Sequence, residues 1–145
     1  MSTSEVKSKE FQSVVIGAIK RAEKNTSGEI RVHVEPNCKI DPIERAVYLF
    51  EKLKMYKTQQ RNGVLIYIAY SSHKLAIVGD EGINEKVPDD FWDDVKNVLV
   101  ESFAKGMMKE GIAEAISMIG RKLKVYFPYE EDDIDEQTNE ISYGD

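Results

Sequence analysis

Residues 61–82, RNGVLIYIAYSSHKLAIVGDEG, constrain the fold more than any other stretch of the chain. Val64 to Ala69 carry no charge over the length of an ordinary strand, and a short apolar run bounded by turn residues is a strand covered on both faces. The turn SSHK then leads into LAIVG, and a connection that short joins antiparallel neighbours. A doubly covered strand needs a layer above and a layer below it, so helices are expected on both sides of the sheet.

The flanking sequence supplies those layers. Phe11, Val14, Val15, Ala18, Ile19 and Ala22 form a helical stripe within residues 5–24. EIRVHVE alternates, with Ile30, Val32 and Val34 on one side and Glu29, Arg31, His33 and Glu35 on the other, which reads as a strand with one wet face near a sheet edge. In KIDPIERAV, Asp41 suits a helix N-cap and Pro42 the first helical position. The buried stripe of that helix is expected to be Ile43, Ala46, Val47, Phe50 and Leu53. Pro88 introduces a helix carrying Phe91, Trp92, Val95, Val98, Leu99 and Phe103, and the last helix uses Ile112, Ile116, Ile119 and Leu123 before Pro128. The first two strands run parallel through a right-handed crossover. The expected fold is a three-layer α/β/α sandwich with a small mixed β-sheet flanked by helices, spanning residues 1–129.

Charge divides the chain unevenly. No basic residue follows Lys124, whereas eight acids do, so the net charge of −6 belongs to the tail and the rest is nearly neutral. A basic stripe for nucleic acid is absent. Residues 130–145 are expected to be a solvated acidic tail, with little to bury beyond Ile134, Ile141 and Tyr143. Cys38 is alone, so no intramolecular disulfide forms. The opening MSTSEVKSKEFQ lacks a signal-peptide core, and no apolar run approaches the roughly 20 residues that span a bilayer. The expected location is cytoplasmic.

The topology concentrates carboxylates. With strands one and two parallel and strand three antiparallel, the start of the first (TSGE), the start of the second (RNG) and the end of the third (GDEG) meet at one sheet edge. Glu29, Asn62, Asp80 and Glu81 converge there, and Asp89 and Asp90 follow at a helix start. Their repulsion is relieved by solvent, by Arg or Lys, or by a cation. Carboxylates with an amide or backbone carbonyl suit Ca2+, while Mg2+ is a second possibility with stricter geometry. The competing reading assigns Asp89 and Asp90 to the helix dipole and pairs Glu29 with Arg61. DEGINEKVPDDF lacks the ligand spacing of an EF-hand loop.

AEKNTSGEIRVHVE, RNGVLIYIA, IVGDEGINEKVPDDFW and the EGIAEAISMIG segment with its later Leu and Phe-Pro resemble, in order, the pattern of the TPM domain family. The resemblance covers about residues 8–129 and implies an α/β/α sandwich. Members occur in photosystem II repair factors, in membrane-anchored bacterial proteins and in an accessory protein of an ion-channel receptor. It also implies Ca2+ binding at an acidic cluster, which falls on Glu29, Asn62, Asp80, Glu81 and Asp89 or Asp90, and in some members acid phosphatase activity. The family's frequent signal peptide and membrane anchor have no counterpart in this sequence.

Three functions are consistent with these features. The first is a Ca2+-binding accessory module that engages an unidentified protein partner. The second is a weak metal-dependent acid phosphatase with Arg61 clamping phosphate. The third is a cation-independent protein–protein interaction domain. The sequence carries no Cys-x5-Arg loop and no glycine-rich phosphate cradle, which favours binding over catalysis.

Overall fold

The computed structural model describes residues 2–129 and 141–144. Its elements run α1 (Thr3–Val6), α2 (Lys9–Glu23), β1 (Glu29–Glu35), α3 (Pro42–Lys52), β2 (Gly63–Ala69), β3 (Lys74–Gly79), α4 (Glu81–Asn84), α5 (Phe91–Ala104), α6 (Met108–Tyr126) and β4 (Ser142–Tyr143). Among the described residues the strand order is β3-β2-β1-β4. β1 and β2 are parallel over seven pairs, from Glu29–Gly63 to Glu35–Ala69. β2 and β3 are antiparallel, from Val64–Gly79 to Ala69–Lys74.

β2 is buried along its whole length, and its alternation sorts the two cores. Val64, Ile66 and Ile68 join Ile30, Val32 and Val34 of β1 under α2, α5 and α6. Leu65, Tyr67 and Ala69 face Ala46, Leu49 and Phe50 of α3. The α6 stripe Ile112, Ile116, Ile119 and Leu123 is buried as expected, each side chain contributing about 2 kcal/mol of apolar burial. Asp41 caps α3, its side chain accepting from the Ile43 amide at 2.8 Å, with Pro42 in the first turn. No helix among the described residues is long and apolar enough to cross a membrane.

Three expectations are corrected. α3 is turned toward Leu49, which is buried, whereas Ile43 and Val47 are 60% and 44% exposed. That rotation places Arg45 where it reaches Glu35 on β1. The supposedly wet face of β1 is buried, with Glu29, His33 and Glu35 each at most 4% exposed. The chain end also departs from a solvated tail: β4 pairs in parallel with β1 at His33 and Val34, and Ile141 is buried. Residues 130–140 of the expected tail lie outside the described residues.

Candidate functional site

Backbone hydrogen bonds bind three segments together where β1 and β2 begin and β3 ends. The Glu29 amide donates to the Asn62 carbonyl (3.3 Å), the Asp80 amide to the Gly63 carbonyl (2.9 Å) and the Gly82 amide to the Arg61 carbonyl (2.9 Å). The last contact requires glycine, because a Cβ at position 82 would lie 2.1 Å from the Gln60 carbonyl oxygen. The convergence expected of Glu29, Asn62, Asp80 and Glu81 is therefore present in the backbone.

The side chains divide into two groups. Asp80, 6% exposed, is held in a fork by Arg61, whose Nε and Nη2 donate to its two oxygens at 2.8 and 2.9 Å. Arg61 Nη1 also reaches Glu81 at 3.2 Å. Arg61 adopts φ +52°, a left-handed backbone uncommon for a side chain of this size, and from that turn its guanidinium neutralises the carboxylates that follow β3. Glu29 and Asn62 form the inner group, 3% and 1% exposed. The Asn62 side-chain nitrogen donates to Ser27 Oγ at 3.3 Å, whereas its Oδ1 is buried with no hydrogen-bond partner. A buried carbonyl left this way costs about 1–3 kcal/mol. The Met55 carbonyl covers Gly63, since a Cβ there would stand 2.9 Å from it.

Asp89 and Asp90 are exposed at the approach to α5. Asp90 occupies the N-cap position without a side-chain cap hydrogen bond, and the ion pairs of Arg61 run to Asp80 and Glu81 rather than to either of these aspartates. What ties this corner to the sheet edge is Trp92, whose Nε1 donates to Asn84 Oδ1 at 3.0 Å and whose ring packs on Gly79. Among the described residues no three His, Cys, Asp or Glu side chains stand ready around one point for a metal ion. The donor set at the edge is nonetheless all oxygen, the chemistry of a hard cation. Beside Asp80 and Arg61 opens a groove of about 830 Å3 lined by Val47, Tyr48 and Tyr56.

A second polar cluster, at the other end of β1, escaped sequence reasoning. Glu35 accepts from Arg45 Nε and Nη2, both at 2.9 Å, and from the Tyr67 hydroxyl, and it lies 3.0 Å from His33 Nε2. Burial pushes the Glu35 carboxyl up, but the hydrogen bonds from Arg45, Tyr67 and His33 outweigh it and hold the pKa at about 2. Burial lowers the pKa of His33 despite its contact with Glu35. Burial and the Glu35 bond raise that of Tyr67. The available signal was Tyr67 itself, a hydroxyl in an apolar strand, in register with His33 of the neighbouring strand.

The TPM domain profile matches residues 5–122. The chain belongs to the TPM domain family. The NMR structure of the BA42 protein from the psychrophilic bacterium Bizionia argentinensis is 45% identical to this TPM domain, covers 99% of each chain and superposes with a TM-score of 0.90. The N-terminal domain of the cg2496 protein from Corynebacterium glutamicum is 14% identical, covers 85% of this chain and 74% of its own, and has a TM-score of 0.56, a likeness of fold alone. Among curated proteins none matches the sequence.

Proposed function

We propose that this TPM domain is a Ca2+-binding accessory module of the cytoplasm, with the sheet edge as its cation site. The observation that carries this reading is the buried, unpartnered Oδ1 of Asn62 beside an all-oxygen edge. Asp80 and Glu81 are the charged ligands, Glu29 and Asn62 contribute from within, and Asp89 and Asp90 close the site from the start of α5. Arg61 is the resident counter-ion: its side chain is 43% exposed, so it can leave Asp80 for solvent when a divalent ion takes its place. The bound ion contributes positive charge where carboxylates repel and ties the β3 end to its neighbours, stabilising the fold by mass action. Mg2+ would bind less well, because loops from separate segments suit the looser geometry of Ca2+.

The phosphatase alternative is disfavoured because the sequence carries neither a Cys-x5-Arg nucleophile loop nor a glycine-rich phosphate cradle. Binding of an unidentified protein partner remains part of the first reading, with the ion shaping the contact surface. The test compares Asp80→Asn with Asp133→Asn by thermal unfolding with and without Ca2+. Asp80→Asn should remove most of the Ca2+-induced rise in Tm, and Asp133→Asn should leave it intact. A full rise in both variants would refute the location.

A further inference from the structure

At the end of β1 away from the acidic edge, the chain's own distant segment lies against the strand. β4 pairs in parallel with β1 at His33–Ser142 and Val34–Tyr143, and the Gly144 amide donates to the Val34 carbonyl at 2.8 Å. Each of four successive residues meets a different feature. Ile141 is buried in the main core. Ser142 Oγ is 2.8 Å from His33 Nδ1. The Tyr143 hydroxyl donates to the Val6 carbonyl at 2.7 Å, with Lys7 Nζ 5.8 Å from the centre of its ring. Gly144 lies directly over the Glu35–His33 pair, where a Cβ would stand 2.2 Å from Glu35 Oε1 and 2.8 Å from His33 Nε2.

These contacts select by residue type as well as by backbone. They ask for an apolar residue, a small hydroxyl, an aromatic with a donor, and a residue with no side chain, in that order. A two-residue strand adds little stability of its own, and lifting it would leave a row of unpaired donors and acceptors along β1. Such a row is the surface that strand addition uses, with main-chain bonds giving affinity and side-chain seats giving specificity.

We propose that the β1 edge from His33 to Glu35, together with Val6 and Lys7, is a peptide-docking groove. Ile141–Gly144 occupies it in cis, and it receives in trans an extended segment of a protein partner with the pattern apolar, Ser or Thr, aromatic, Gly. The seated segment is a ready-made example of the ligand. Eleven residues of the same chain separate it from Tyr129, so the cis segment is an intramolecular competitor that a partner displaces. The groove shares no residue with the cation site, and either reading can fail alone.

The test uses the full chain, wild type and Gly144→Val, followed by residue-resolved amide NMR. The probe is the synthetic peptide TNEISYGD, copied from residues 138–145; the control peptide has Val in place of its Gly. In Gly144→Val the amide at position 144 should lose exchange protection, and Val6, Lys7 and His33–Glu35 should shift. TNEISYGD should move those signals back toward their wild-type positions, and the control should not. Wild type should need a higher peptide concentration than Gly144→Val for the same response, because its own segment competes. Retained protection in the variant, or no peptide response at these residues up to millimolar concentration, would overturn the proposal. Should Gly144→Val disturb β2 and β3 as well, Tyr143→Ala is judged by the same two criteria.

Discussion

Replacing Glu35 with Gln tests whether the buried polar cluster on β1 stabilises the fold through charge. Glu35 is 4% exposed and its pKa is held at about 2 against an ordinary 4.5. At 1.36 kcal/mol per pH unit the difference corresponds to roughly 3 kcal/mol of stability. The folded pKa lies below the unfolded one, so the contribution is fully present above about pH 5 and is lost as the pH falls toward 2. About three-fifths of it should be gone by pH 3. Glu35→Gln removes the titrating group and leaves Arg45 facing a neutral amide, so the variant should be less stable by about 3 kcal/mol at pH 7. Many other carboxylates also titrate in this range, and the informative quantity is therefore the difference between the two proteins. Urea unfolding followed by circular dichroism at several pH values from 7 to 3 measures it. The gap should narrow steadily as the pH falls. A gap that stays constant with pH would show that Glu35 acts through shape or hydrogen bonding alone, and would refute the electrostatic account.

Two further substitutions address other parts of the account. Arg61→Asn keeps a residue that tolerates the left-handed backbone and frees Asp80, so the apparent Kd for Ca2+ measured by calorimetry should fall severalfold; an unchanged or weaker affinity would deny Arg61 its counter-ion role. Gly120→Val forces a Cβ to within 2.7 Å of the Ala22 Cβ between α6 and α2. It should lower stability by about 1–3 kcal/mol in urea unfolding, without changing the fractional response to Ca2+.

The fold was largely legible because hydrophobic period carries it. An uncharged β2 could only be a covered strand, the SSHK turn could only join antiparallel neighbours, and those two facts place Glu29, Asn62 and Asp80 at one edge. What the pattern could not reveal was exposure. Alternation in EIRVHVE separates polar from apolar positions, yet says nothing about whether the polar side meets water. Here it meets Arg45, Tyr67 and the Ser142–Gly144 segment, partners from 10 to more than 100 residues away. The same limit misled the reading of α3, where Ile43 and Val47 fit a helical stripe as well as Leu49 does, and only contact with β2 and β3 decides between them. At the acidic edge, topology alone placed the starts of β1 and β2 beside the end of β3, but the ion pair between Arg61 and Asp80 depends on a left-handed turn that no residue type in RNG announces.

The central claim is a cation site at the sheet edge, and the most direct measurement is a Ca2+ titration of metal-stripped protein followed by residue-resolved amide NMR. The account predicts saturable shifts clustered at residues 28–30, 61–64 and 79–91, with the Asn62 side-chain amide among them. Flat signals in those segments, or changes confined to residues 130–145, would contradict it.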